Sequence, residues 1–424
     1  MKLRKFISVA LAATMVLSMA ACKPAAPKQD SMDNSANNEA SADNADSSSD
    51  YASDVTLRVW GSQEQQELLG RMIEDFKAAH TGTNWDIQLG VVGENDAKNK
   101  YLEDPAAAAD VFCYANDQLR EFVSAGALYE VTRNADDIKA RNMPESIEAC
   151  SLDDHLYGYP MTSDNGYFLY YDKSVISEED AGSLDTILKK ANDAGKKVFM
   201  DVSNGWYIAS FFLGNGCTLT IDENGNQVCD FNNEKGIEAG EAIKAFTADP
   251  AFVTGDDSVL AAGIGDSIVA VVSGTWKADT IQQALGENYA AAKLPTYTTA
   301  SGQVQMGSFV GYKVVGVNSQ TQFPVEAMDL ADFITNEANQ TLRFNEMQLF
   351  PSNLKAAETA GNTDNIAIAA LQAQHQFGTS QKDVLGTYWA PAEAFGTTME
   401  AKDYSKDIPT LLNDMVAQIN AAAQ

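Results

Sequence analysis

The chain has 424 residues, a formal charge of −30 and 45% hydrophobic side chains, enough apolar material for more than one core. That acidity disfavours nucleic acid and anionic lipid surfaces, both of which select cationic patches. His80, His155 and His375 stand far apart, and no H-E-x-x-H, C-x-x-C, G-x-S-x-G or G-x-x-x-x-G-K-[ST] occurs, so no metal, cofactor or nucleophile motif is legible.

Lys2, Arg4 and Lys5 precede an apolar run from Phe6 to Met19 and then Ala20-Ala21-Cys22. A cationic start, an apolar stretch shorter than the ~20 residues of a spanning helix and small residues at a cut predict a secretory signal over 1–21. Met19-Ala20-Ala21-Cys22 resembles the lipobox of bacterial lipoproteins, which implies a lipidated Cys22 that anchors the chain to a membrane without spanning it. Residues 22–53, rich in Ser, Asn, Ala and Asp, are expected to form a disordered linker, since they bury too little to offset chain entropy.

From there strands and helices alternate. Val55–Trp60 reads as a strand, Gln65–Ala79 as an amphipathic helix, Trp85–Val92 and Asp110–Tyr114 as strands, and Leu119–Ala125 as a helix stopped by Gly126. Leu156–Pro160 and Tyr167–Tyr171 are strand-like, with a polar break at Met161–Gly166 that suits a crossover. Helices at Asp185–Ala194, Trp206–Leu213, Lys235–Phe246 and Val259–Ile264 surround strands at Lys197–Val202 and Ser267–Val272. Ser273-Gly-Thr-Trp276 starts a helix to Leu285, Met306–Val317 is a long strand, and helices at Val325–Thr335 and Asn339–Phe344 end before Pro351. Alanine-rich helices fill the remainder. The alternation predicts an α/β fold with mostly parallel sheet.

Beyond Cys22, four cysteines remain, and an even number in an exported chain permits disulfides. Cys217 and Cys229 flank an Asn224-Gly225 hairpin signal, so a bridge across its arms is possible. The Asp222–Asn226 run starts like a calcium loop but lacks its glycine and its terminal glutamate; it reads as a turn, and no metal is expected.

Aromatic rings stand beside polar residues at expected strand ends: Tyr114 before Asn116, Asp117 and Gln118; Asn204 before Trp206 and Tyr207; Ser273-Gly-Thr before Trp276; and Tyr388-Trp389. Ligands of open α/β sheets sit at the carboxyl ends of strands. A pyranose needs flat rings for its C–H faces and hydrogen-bonding groups for its hydroxyls. Each ring taken singly is equally compatible with a core position.

The order of Leu57-Arg-Val-Trp60-Gly61, Ala109-Asp110-Val-Phe-Cys-Tyr114, Gly158-Tyr-Pro160, Tyr170-Tyr-Asp-Lys173, Ser273-Gly-Thr-Trp276, Phe309-Val-Gly311 and Tyr388-Trp389 resembles the maltodextrin-binding members of the periplasmic-binding-protein superfamily. The resemblance implies two α/β lobes joined by three crossings near 162–167, 308–313 and 349–352. One lobe would comprise 54–162 plus 314–350 and the other 168–308 plus 352–424. It also implies a monomeric substrate-binding lipoprotein of an ABC importer, without a catalytic role or cofactor, on the outer face of a Gram-positive cell membrane. Such a protein closes on malto-oligosaccharides and hands them to permease subunits. By position, Tyr114 falls where the family stacks a tryptophan, and Asn116, Asp117 and Gln118 where polar contacts lie. Asp164 corresponds to an acidic sugar ligand, Asn204 and Trp206 to an acid and a stacking tyrosine, and Trp276 and Trp389 to stacking tryptophans. Ser62, Gln63 and Glu64 occupy the first polar loop, where Ser62 could instead simply cap a helix. Gln118 and Asn204 depart from the family pattern, which leaves room for a xylo- or fructo-oligosaccharide. Carboxylate pairs leave a surface glycoside hydrolase open, and a purely adhesive surface protein is the third alternative.

Overall fold

The computed structural model describes residues 51–361 and 364–421. The expected signal at 1–21, the lipidation at Cys22 and the linker up to residue 50 lie outside the described residues. The end of that linker is part of the folded body. Tyr51 Oη donates to Asp329 Oδ2 at 2.7 Å, Ala52 N donates to Glu326 Oε1 at 2.9 Å, and the Tyr51 ring packs edge-on to Trp85. One aromatic ring supplies the apolar contact that the linker composition otherwise lacks, so the folded body includes residues 51–53.

The elements that build the two sheets and the site run as follows. The first group is β1 (Asp54–Gly61), α1 (Gln66–Ala79), β2 (Asn84–Val91), β3 (Val111–Ala115), α2 (Leu119–Ser124) and β4 (Tyr159–Asn165). Then come β5 (Phe168–Asp172), β6 (Lys197–Phe199), α3 (Gly205–Gly214), β7 (Phe252–Val253), β8 (Ile268–Ser273), α4 (Ala278–Leu285) and β9 (Tyr289–Ala292). The chain ends with β10 (Ser308–Val317), α5 (Glu337–Met347), α6 (Ile366–His375), β11 (Gly378–Ser380) and α7 (Gly386–Glu400), followed by a helix at Ile408–Ile419.

The first sheet has the order β11-β10-β3-β1-β2, with β4 also paired to β10; the second is β7-β6-β8-β5-β9. Both are mixed rather than mostly parallel. β1 pairs in parallel with β2 and β3, as right-handed βαβ units require, whereas β10 runs antiparallel to β3 and β4. The reversal has a simple cause: β10 re-enters the first sheet from the second, against the direction of the strands already there.

Each sheet has its own core. Val55, Leu57 and Val59 of β1 pack with Leu69, Met72 and Phe76 of α1 and with Phe112, Val314 and Val315. In the second sheet β5 alternates, with Leu169 and Tyr171 facing one core and Phe168 and Tyr170 a smaller one that α4 and α6 cover. Three segments pass between the sheets. β4 runs to Asn165, so the polar break expected at 161–166 is mostly strand, and β5 begins at Phe168. β10 places Phe309 in the second core and Tyr312 in the first. Phe350–Ser352 lies against β4: Ser163 N donates to Phe350 O at 2.8 Å and Ser163 Oγ to Pro351 O at 2.8 Å.

Leu219–Ile221 and Gln227–Cys229 form the expected hairpin, with Gly225 at φ +82° in its turn. The bridge considered for Cys217 and Cys229 is absent; both are buried free thiols within the second core, as Cys113 and Cys150 are free within the first. Cys229 pairs across the hairpin with Leu219, not with Cys217, which lies two residues before the register begins. Gly378–Ser380 is a strand inside the stretch expected to be wholly helical.

Candidate functional site

β3, β8 and β10 bring their carboxyl ends or crossing segments to one crevice between the sheets. Across the first sheet Lys313 of β10 stands between Ala115 of β3 and Thr162 of β4. The turn after β8 carries Thr275 and Trp276, and the N-terminus of α3 carries Trp206 and Tyr207.

Trp206 and Trp276 come together there, with ring centroids 5.8 Å apart at 40°. Trp206 also packs against Tyr167 at 4.5 Å and Tyr207 at 5.2 Å. Asn204 caps α3 by accepting from Trp206 N at 3.0 Å, which fixes the turn that aims the indole. Trp276 packs its ring against Gly274; a Cβ there would sit 2.0 Å from the ring, so the Ser-Gly-Thr-Trp spacing is a steric condition for that placement. Trp389, half-buried on α7, packs its ring on Phe309 and Tyr388 at 6.1 and 5.0 Å, while its carbonyl lies beside Gly205. It is therefore one layer behind Trp206.

Asp164 is 2% exposed. Its Oδ2 accepts from Thr275 Oγ1 at 2.8 Å and Phe350 N at 3.0 Å, joining two crossings to the turn before Trp276. Its Oδ1 is buried without a donor, and Asn116 Nδ2 is buried without an acceptor, among the described residues. Asn116 Oδ1 accepts from Tyr312 N at 2.9 Å. Asp117 Oδ1 accepts from Gln381 Nε2 at 2.7 Å. Burial pushes the Asp117 carboxyl up to about 7, and the bond from Gln381 only partly opposes that rise.

Four expected contacts read differently in three dimensions. Tyr114 is 0% exposed and points into the first core against Phe112 and Phe122. β3 is buried on both faces, and the alternation puts residue 114 with Phe112 on the helix side, where Gly158 and Gly316 leave room for its ring. Gln118 is buried and holds the 94–98 loop, donating to Glu94 O at 2.7 Å and accepting from Lys98 N at 2.9 Å. Tyr388 is 0% exposed and donates to Gly205 O at 2.8 Å, a core strut between α7 and α3. Ser62 makes no capping bond; it begins a short turn in which Gln63 and Glu64 are exposed.

Other residues at the crevice were not legible in the sequence. Gln381, in the turn after β11, accepts from Trp206 Nε1 at 3.0 Å and from Asn165 Nδ2 at 3.2 Å. Lys313 holds its ammonium 5.8 Å from the Trp276 ring centre and 3.9 Å from Glu94 Oε2. Burial works against its charge, but Glu94 and Asp164 more than offset that, so its pKa lies above the ordinary lysine value. Glu94 Oε1 in turn accepts from Gln65 Nε2 at 2.7 Å, and Gln65 Oε1 from the buried Arg343 at 3.0 Å. None of these belongs to a motif; a lone amide or lysine in a strand or loop carries no local signal.

The crevice therefore offers a ring pair, an underemployed carboxylate, amides and balanced charges, which suits a polar ligand with apolar faces. A family model for bacterial extracellular solute-binding proteins matches residues 71–370. A relative from Bacillus subtilis (strain 168), described as a galactooligosaccharide-binding protein, is 26% identical over 416 residues, covering 93% of this chain and 92% of that one. A structure solved with acarbose is 30% identical with a TM-score of 0.80, covering 88% of this chain and 100% of that one. The fold is also that of a maltodextrin-binding protein from L. casei BL23 solved without ligand, with a TM-score of 0.73 at 24% identity over 87% of this chain and 100% of that one. Among the described residues no helix is long and apolar enough to cross a membrane. The chain belongs to the bacterial extracellular solute-binding proteins.

Proposed function

We propose that this protein captures malto-oligosaccharides outside the cell by closing its two lobes on them, and delivers them to the permease of an ABC importer without chemical change. It does so as a monomer held to the membrane by lipidated Cys22. The observation that carries the reading is the Trp206–Trp276 pair, to which the buried Asp164 and Asp117 are linked through Thr275 and Gln381. The rings offer faces to pyranose C–H groups, and the polar groups behind them, Asp164, Asp117 and Asn116, offer partners to hydroxyls when the lobes open. Lys313 and Arg343 have their charges answered within the protein by Glu94 and Asp164, which favours an uncharged ligand and an affinity only weakly dependent on salt. Both rings belong to one lobe, so a sugar is received on the pair as it stands. Its preference for one arrangement of the lobes then shifts the equilibrium between open and closed forms. Ser62, Gln63, Glu64 and Tyr207 extend the site in this reading, and Trp389 supports Trp206 from the layer behind.

The likeness to a structure solved with acarbose supports a glucan. A second reading, a galacto-oligosaccharide, is favoured by the name of the Bacillus subtilis relative. Titration calorimetry with maltotriose, maltotetraose, acarbose and a β-1,4-galactotriose separates them. Heat with the glucans and none with galactotriose is expected. The converse replaces the sugar, and silence from all four removes the oligosaccharide claim. Trp276→Ala should weaken the binding seen with wild type by roughly tenfold or more, the scale of losing one stacked ring.

A further inference from the structure

The amide of Gln381 joins one lobe to the other at the stacking face. It is 3% exposed. Its Nε2 donates to Asp117 Oδ1 at 2.7 Å, and its Oε1 accepts from Trp206 Nε1 at 3.0 Å and Asn165 Nδ2 at 3.2 Å. Its backbone N donates to Val310 O at 3.0 Å, which pins the residue to the crossing strand β10. The orientation of the amide is fixed by chemistry: an indole N–H can only donate, so it must meet the oxygen, and the nitrogen is left for the carboxylate. Space for the amide comes from Gly311 on the same crossing strand. A Cβ there would lie 2.6 Å from Gln381 Oε1 and 2.8 Å from Asn165 Nδ2.

We propose that Gln381 is a positioning residue of the binding site, fixing the Trp206 ring in its ligand-receiving orientation and tying that orientation to Asp117 in the opposite lobe. The assignment rests on the reading that the Trp206–Trp276 pair receives a carbohydrate. Gln381 acts through Trp206. Freed from it, the indole can turn about its side-chain torsions, and the ligand must pay again for the order that the amide supplies in advance.

Three variants test this. Gln381→Met keeps length and removes the amide; Gln381→Asn keeps an amide one methylene too short to bridge both partners; Trp206→Phe keeps a ring and removes the N–H. Without any ligand, hydrogen exchange of the Trp206 indole proton, assigned by its absence from Trp206→Phe, should accelerate at least tenfold in both Gln381 variants. Wild-type protection in either overturns the assignment, whatever the sugar is. With whichever of the four sugars wild type binds, each single variant should weaken affinity by roughly tenfold. The Gln381→Met/Trp206→Phe double variant should show the same tenfold rather than a hundredfold, because both changes cut one interaction. Additive losses overturn the assignment, as does wild-type affinity in Gln381→Met. If wild type binds none of the sugars, the oligosaccharide reading fails by itself, and the exchange measurement still decides whether Gln381 holds Trp206.

Discussion

Replacing Asp117 by asparagine should stabilise the protein in mild alkali and leave it unchanged in acid. The carboxyl is 9% exposed and sits at the turn that leaves β3. Burial pushes its pKa from 3.8 to about 7, partly opposed by the bonds from Gln381 and the turn backbone and by Lys98. Between those two values the folded chain holds a proton that the unfolded chain has released. Stability therefore falls as pH rises through that window: the contribution is intact below about pH 4 and lost above about pH 7. At 1.36 kcal/mol per tenfold change in proton affinity, the full rise sets a ceiling of roughly 4 kcal/mol on the cost of the buried charge at pH 8. Asparagine carries no charge and can still accept from Gln381, so Asp117→Asn should gain on the order of 1–4 kcal/mol over wild type at pH 8 and nothing at pH 4. Urea unfolding of both proteins at pH 4, 5, 6, 7 and 8 measures the difference directly. A gap that stays constant with pH, or a variant less stable than wild type at pH 8, refutes the reasoning.

Two further outcomes follow from the same packing. Gly311→Ala should drive the Gln381 amide off Asn165 and Trp206, costing about 1–3 kcal/mol in overpacking and lost bonds. Thermal unfolding with the wild-type midpoint would show that the amide is not where the crossing strand leaves room for it. The four cysteines of the folded body are buried free thiols, with burial pushing Cys217 and Cys229 up to about 12. A reductant should leave the thermal midpoint unchanged, and unfolding in an alkylating reagent should label Cys113, Cys150, Cys217 and Cys229 alike; a midpoint that drops with reductant contradicts this.

Legibility in the sequence followed the range of the interactions. Alternating β1 and amphipathic α1 were readable because their burial is periodic and local, and the Asn-Gly-Trp and Ser-Gly-Thr-Trp runs were readable because small and polar residues at a strand end prepare a place for a ring. Tyr114 was misplaced for a physical reason: β3 is buried on both faces, so composition does not say which face meets the crevice. Tyr388 and Trp389 are neighbours on α7, yet one is a core strut and the other half-exposed, a difference that a helix turn decides and a dipeptide does not. β11 has three residues, and its pairing with β10 is a tertiary event with no local propensity behind it. Gln381 inherits its place from that pairing, which is why it went unseen.

Buried charge is poor evidence of stability, since desolvation can exceed the attraction between partners. Arg343, 1% exposed, therefore needs another explanation. It donates to Gln65 Oε1, Gln65 donates to Glu94 Oε1, and Glu94 faces Lys313, whose ammonium stands over Trp276. Charges alternate along this line from the core of the first sheet to a ring carried by the turn after β8, with a neutral amide between the first two. A hydrophobic substitute would fill the same volume but could not hold Glu94 in place, and without Glu94 the field that keeps Lys313 charged would weaken. The line thus fixes, before any ligand arrives, where the donors and acceptors of the crevice stand, as Gln381 does from the other side through Trp206. Two independent supports, one ionic and one amide, converge on neighbouring rings, and a site for a ligand that offers only hydroxyls and C–H faces gains most from that advance ordering.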